Sequence, residues 1–305
     1  MKKLIQIFSA LVLFCCLFAG TFTIPNWVIN SVVFIMVDNK PIGSGFVLGI
    51  EQSGKQFIYL VSAKHVLEPI LSDTTKPLNV RFNKKDGSGT VTVTFPTQYF
   101  NGKRWIEHKN PAVDIAAVPL AIWDKINELD VGLFLVADTT KDYFCDTSFV
   151  NKYKVTAGDQ VFTVGLVPYL FNKDEKNMVL SRFGTISALP QYDLRLPGGL
   201  QKAYFLDCPA FGGNSGGPAY VLLERTETGA LIAGWRIALL GVVSEFVPSP
   251  LRMQQIKTDD ALANAVQLIE NTGISKVVPI DYLKEILYSQ QQIDFRDFII
   301  KQNSK

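Results

Sequence analysis

The stretch "AFGGNSGGPAY", residues 210–220, surrounds Ser215 with glycines and a proline, in a chain otherwise rich in ordinary core residues. Glycine is needed where the backbone takes φ > 0 or must approach another group closely. A plain turn asks for that. So does a nucleophile site whose backbone N–H groups must point at a substrate oxygen. The serine alone does not choose between them, so a base, an orienting acid and a suitable fold have to come from the rest of the chain.

The chain has two histidines, so an activated Ser215 with a histidine base needs His65 or His108. His65 lies in "YLVSAKHVLE", where an apolar strand gives way to small residues and then the imidazole. His108, in "RWIEHKN", is flanked by charges and reads as a solvated loop residue. The orienting acid should be a carboxylate buried enough to fix the histidine tautomer. Asp114 fits, because in "NPAVDIAAVPL" it opens an otherwise apolar strand, and an acid beside a core strand needs a partner. Taken alone, each residue also has a plain reading: a buried hydrogen-bonded histidine and a strand-end aspartate.

Chain order separates the folds that could carry such a set. "GNSGG" also matches the G-x-S-x-G elbow of α/β-hydrolases, but those place the histidine after the serine, and none follows residue 108. An Asp-His-Ser order using Asp38 would need alternating helices, which the pattern lacks. Instead, short β-branched or aromatic runs follow one another: "SVVFIMV", "GSGFVLGI", "QFIYLVSA", "LNVRF", "GTVTVTF" and "DIAAVPL", then "DQVFTVGLV", "MVLSRFGTISAL", "KAYFLDC", "GPAYVLLE" and "WRIALLGVVSEF". Turn signals such as "DNKPIG", "QSGK" and "KKDGSG" divide them. Two series of strands predict an all-β fold of two packed six-stranded antiparallel β-barrels, over residues 27–135 and 136–255. Helical periodicity comes late, in "TDDALANAVQLIENTG" and, more firmly, in "PIDYLKEILYSQQ", where Asp281 is a candidate cap. Residues 256–305 are thus expected to be a C-terminal helical segment packed on the second barrel.

With these pieces the chain resembles the chymotrypsin/trypsin-like serine peptidases, in particular the bacterial branch that includes the HtrA type. "VSAKHVL", "VDIAAVPL" and "GGNSGGP" carry the resemblance, with weaker agreement in "AGDQVFTVGLV", "SRFGTISAL" and "ISKVVPIDYLKEIL". It implies a catalytic triad of His65, Asp114 and Ser215, acting through an acyl-enzyme on protein or peptide substrates. The backbone N–H groups of Gly213 and Ser215 would form the oxyanion hole. The base of the first specificity pocket would fall at Pro209, which does not support a preference for basic side chains. Ser244 would begin the pocket wall, and Phe246 would make the pocket shallow and favour small apolar side chains. Asn214 stands where many animal members have the aspartate that pairs with a new N-terminus, so activation by N-terminal insertion is not expected. Only a helix and a short tail follow residue 290, which leaves no room for a PDZ domain.

The remaining composition narrows the class. Lys+Arg 30 against Asp+Glu 28 gives a formal charge of +2, two of the positives being Lys2 and Lys3, so steering to nucleic acid is not expected. "MKKLIQIFSALVLFCCLFAG", residues 1–20, has the cationic start, apolar run and small residues of a secretory leader. The run is also nearly long enough to span a bilayer, so the alternative to export is an anchor formed by residues 4–20. Outside the leader only Cys145 and Cys208 remain, either paired or as two buried thiols. No spacing suggests a metal site, and no cofactor is expected.

Overall fold

The computed structural model describes residues 22–73, 75–95, 105–120, 125–132, 134–136, 142–173, 175–196, 199–250 and 269–302. The leader, and residues 251–268 of the region expected to be helical, lie outside these. The described chain is mostly antiparallel β.

The first half contains a short helix α1 (Asn26–Asn30), then β1 (Val32–Val37), β2 (Lys40–Gln52), β3 (Lys55–Ser62), helix α2 (Lys64–Leu71), β4 (Leu78–Asn83), β5 (Thr90–Phe95), β6 (Ile106–Glu107), β7 (Ala116–Leu120) and β8 (Phe134–Val136). These form one eight-stranded sheet in the order β5-β4-β1-β2-β3-β7-β6, with β8 added parallel to β2. The count is eight where six were expected: β6 and β8 are too short to show a period in the sequence. Asp38 and Asn39, both at positive φ, close the β1–β2 hairpin, and Ser53 and Gly54 close β2–β3 in the same way. Two left-handed residues in a row are what a two-residue hairpin needs to match the strand twist.

The second half contains helix α3 (Thr147–Tyr153), β9 (Gln160–Leu166), β10 (Val179–Ala188), a small hairpin of β11 (Leu194–Leu196) and β12 (Gly199–Gln201), then β13 (Tyr204–Asp207), β14 (Pro218–Arg225), β15 (Leu231–Pro250) and β16 (Ile269–Pro279). Helices α4 (Ile280–Leu287) and α5 (Gln290–Gln302) end the described chain. Six strands pair in a ring, β10-β13-β16-β15-β14-β9. Two expectations change here. Ile269–Pro279 is a strand of this ring, so the "ENTG" expected to end a helix is extended, and helix starts only at Ile280. Asp281 does not cap its own helix; its carboxylate accepts from the Thr147 N–H and hydroxyl.

Period-two alternation explains why so many strands are apolar at every position. In β1, Val33 and Ile35 face a core enclosed by the first sheet, with Val47, Leu60 and Phe82. Val32, Phe34 and Met36 face the opposite way, into a cluster shared with the second half. In β14, Val221 and Leu223 point into the second ring's own core, while Tyr220 and Leu222 join the shared cluster. Strands buried on both faces read as continuous apolar runs. The shared cluster also takes Phe162, Val164 and Leu166 of β9, and Ile280, Leu283, Ile286 and Leu287 of α4. Helix α4 thus packs between the two halves, not on the second barrel alone.

Helix α5 likewise departs from the expected place. Arg296 is 1% exposed and donates to Gln52 Oε1 at 2.6 Å, to Tyr59 Oη at 3.0 Å and to the Leu287 carbonyl at 2.8 Å. Gln52 and Tyr59 belong to β2 and β3, so the last helix is fastened to the first sheet.

Candidate active site

Ala63 follows β3 in an extended conformation and is the N-cap of α2 without a side-chain cap. The first N–H groups of a helix have no partner within it. Asp114 supplies one from the loop before β7: the His65 N–H donates to Asp114 Oδ1 at 2.9 Å, and His65 Nδ1 meets Asp114 Oδ2 at 2.8 Å. The two contacts orient the imidazole by its backbone and its ring together. Nδ1 is thereby the protonated nitrogen, which leaves Nε2 as the lone-pair edge. The Ser244 hydroxyl also donates to Asp114 Oδ2.

These contacts set the charges. Burial pushes the Asp114 carboxyl up, but the His65 ring hydrogen bond, the His65 charge, the Ser244 hydroxyl and the His65 N–H outweigh it and bring it down to about 2. His65 is raised, first by its hydrogen bond to Asp114; burial opposes this, while the charges of Asp114 and Glu245 add to it and Lys276 subtracts. The imidazole is half exposed, at 51%, against 17% for the Asp114 side chain. The imidazole thus faces outward and the carboxylate is covered.

Two consecutive turns share Asn214, and Ser215 is the second residue of the later one. Asn214 N–H donates to the Phe211 carbonyl at 2.9 Å, and Gly217 N–H to the Asn214 carbonyl at 3.0 Å. Gly213 and Gly216 hold the third position of each turn, at φ 97° and φ 88°. A positive φ at that position is the type II arrangement, which glycine adopts without steric cost. Space gives a second reason: a Cβ on Gly213 would sit 2.0 Å from Pro168 Cδ, and one on Gly216 would sit 2.0 Å from the Ser44 carbonyl oxygen and 2.1 Å from Ser62 Oγ. The same Cβ would lie 3.1 Å from the Ala63 nitrogen, so the serine turn packs against the start of the helix that carries His65. Ser215 Oγ and His65 Nε2 are not hydrogen-bonded to each other here. Such bonds commonly lengthen without substrate and tighten when it binds.

The first sheet holds this turn directly. Ser44 N–H donates to the Ser215 carbonyl at 3.0 Å, and Ser44 Oγ donates to the Gly213 carbonyl at 2.6 Å while accepting from Leu166 N–H at 2.8 Å. Ser62 Oγ in turn donates to the Ser44 carbonyl at 2.7 Å. Among the described residues, the N–H groups of Gly213 and Ser215 donate to no backbone carbonyl.

Of the residues expected around a specificity pocket, Ser244 is 1% exposed, and its hydroxyl is the one that donates to Asp114. Pro209 is exposed. Phe246 is half-buried against the second core and lies opposite Ser275 of β16. Lys276, 4% exposed, had no signal in the sequence; its Nζ meets Glu245 Oε1 at 2.5 Å. His108 is buried, not solvated, with Nε2 2.9 Å from Glu285 Oε2 and Nδ1 accepting from the Asn110 N–H. It pins the loop that leads to Asp114 onto α4. Cys145 and Cys208 are both buried and free. Among the described residues, no group of three or more His, Cys, Asp or Glu could hold a metal ion, and no helix is long and apolar enough to cross a membrane.

No family profile and no curated protein matches the chain. Among solved structures, Deg5 is similar at 18% identity and a TM-score of 0.45, over 85% of this chain and 90% of that one. The MamO protease domain from Magnetospirillum magneticum is similar at 14% identity and a TM-score of 0.43, over 84% and 95%. The HtrA-type protease AlgW, solved with a decapeptide, is similar at 15% identity and a TM-score of 0.43, over 82% of this chain and 52% of that chain.

Proposed function

We propose that the protein is an exported serine endopeptidase of chymotrypsin-like design, with His65 and Asp114 from the first half and Ser215 from the second. The observation that carries this reading is the doubly bonded His65–Asp114 pair set beside a serine turn with two left-handed glycines. His65 Nε2 takes the Ser215 proton as Oγ attacks the scissile carbonyl. Asp114 stabilises the imidazolium, which then protonates the leaving amine; water hydrolyses the acyl-enzyme by the reverse transfers. The N–H groups of Gly213 and Ser215 receive the developing oxyanion, and losing one such donor typically costs ~10²–10³ in turnover. No cofactor or metal takes part. The partners are protein or peptide chains and not nucleic acid. Residues 1–20 direct export, and a membrane is involved only if that segment is kept.

The test is intact-mass measurement of the purified chain after treatment with a fluorophosphonate, beside Ser215→Ala. One adduct, absent from Ser215→Ala, is the expected result, and His65→Ala should label at a small fraction of the parent rate. A folded chain that takes no adduct would refute the peptidase and favour a catalytically silent domain that binds peptides in the same cleft. The unlocked Ser215–His65 contact is the one observation on that side.

A further inference from the structure

The turn that carries Ser215 needs something to keep Gly213 left-handed, because glycine itself holds no preference. Asn214 is 5% exposed and sits directly between Gly213 and Ser215. Its side-chain oxygen accepts two bonds, from Arg182 Nη1 at 2.7 Å and from the Phe211 N–H at 2.9 Å. Its side-chain nitrogen donates to the Leu166 carbonyl at 3.2 Å. Arg182 comes from the middle of β10, and its guanidinium also lies over the Phe211 ring, 4.6 Å from the centroid. Asn214 and Phe211 are thus gripped at both ends of the Phe211–Asn214 turn by one cation.

We propose that Arg182 is a positioning residue for the oxyanion turn, holding the Gly212–Gly213 peptide through Asn214 and Phe211. The proposal rests on the serine peptidase reading above. With a permanent internal cation in this place, the turn is formed without a new N-terminus. Two independent anchors meet at Gly213: Ser44 Oγ holds its carbonyl from the first sheet, and Arg182 holds the following side chain from the second. Among the described residues, the N–H of the turn's central peptide, Gly212–Gly213, donates to no backbone carbonyl. A flip of that peptide would turn its carbonyl oxygen to the site and remove one of two donors.

Arg182 touches neither Ser215 nor a substrate, so its loss should slow the chemical step while leaving ground-state binding alone. The test compares fluorophosphonate labelling of Ser215 and hydrolysis of p-nitrophenyl acetate in the full chain, in Arg182→Met and in Arg182→Lys. Arg182→Met keeps an unbranched side chain beside Phe211 but removes every donor. Its labelling rate and kcat should fall at least tenfold, with KM changed less than about twofold and the melting temperature within a few degrees. Arg182→Lys, which keeps the charge with one donor head, should recover part of the rate. Equal labelling of the parent and Arg182→Met would overturn the proposal while leaving the peptidase reading intact. So would a fall in kcat that tracks a fall in melting temperature. If Arg182→Met does not fold, Arg182→Lys decides alone: a partial fall in rate with KM and melting temperature unchanged supports the proposal, and a rate equal to the parent, or a fall that tracks KM or melting temperature, overturns it. A parent chain that takes no adduct would instead refute the peptidase reading itself.

Discussion

At the scale of single residues, the His65–Asp114 pair binds activity and stability to pH in opposite directions. His65 is raised mainly by its hydrogen bond to Asp114, so it stays protonated above its ordinary value of about 6.5, and labelling of Ser215 should rise with pH through a midpoint above that. Stability runs differently. The raised His65 stabilises the fold below about pH 6.5 and loses that contribution as pH climbs through its folded pKa. Asp114, lowered to about 2 from 3.8, stabilises above about pH 4 and loses its contribution as pH falls toward 2. The pair therefore stabilises most between about pH 4 and 6.5, below the range in which the base is free to act. Asp114→Asn should cost roughly 10⁴ in rate by the tautomer argument and move the His65 midpoint down. Following the ring protons of the two histidines by NMR checks this; a His65 midpoint unmoved in Asp114→Asn would sink it. His65, Asp114 and Ser215 were legible because each stands in a short, chemically odd setting: an imidazole after an apolar strand, an acid at the mouth of another, a serine among glycines. Ser44, Ser244 and Arg182 had no such setting. Their roles come from partners 169, 130 and 32 residues away in the chain, and a serine or arginine in a strand looks the same whether it meets water or a carboxylate.

At the scale of elements, strands were readable from alternation and turn residues, and the packing of the last helix was not. Helix α4 carries an apolar stripe, Ile280, Leu283, Ile286 and Leu287, and so declares itself. Helix α5 instead buries Gln292 and Arg296, a polar face with no hydrophobic period to read. Its attachment depends on a charge held by Gln52, Tyr59 and a helix-end carbonyl, with Gln52 also donating to Asp297 Oδ1 at 2.6 Å. Hydrogen bonds to a charged group contribute about 1.5–3 kcal/mol each, and a partner left buried and unmatched costs more than the bond it lost. Arg296→Met should therefore destabilise the chain by about 3 kcal/mol, seen as a drop of several degrees in melting temperature, and should expose α5 to limited proteolysis before the strands. A melting temperature within one degree of the parent would show that α5 rests on the sheet without holding it. The strand at Ile269–Pro279 was missed for a related reason: "ENTG" carries polar and turn-forming residues that suit a helix end as well as a twisted edge, and only pairing with β13 and β15 decides.

At the scale of the whole molecule, the candidate site sits where the two halves meet, and the same contact stabilises both. Phe162 and Tyr220 stack at 5.0 Å in the cluster that also takes Val32, Phe34 and Phe46 from the first sheet and α4 from the end of the chain. The turn around Ser215 belongs to the second half, yet its carbonyls are held by Ser44 of the first. Separation of the halves would thus pull the serine turn off the sheet that shapes it and away from His65 at once. We expect heat to unfold the described chain in one transition, with labelling of Ser215 lost along the same curve as tryptophan fluorescence. Phe162→Ala removes a fully buried ring from the shared cluster and should cost about 3–5 kcal/mol, lowering that single midpoint. Because Phe162 packs against the rings of Phe22, Phe183 and Tyr220, labelling by the variant well below its midpoint should stay within a few-fold of the parent. Two resolved transitions in calorimetry, with labelling lost in the first while one half stays folded, would mean that the halves are stable alone and that the shared cluster serves to align the site rather than to stabilise the fold.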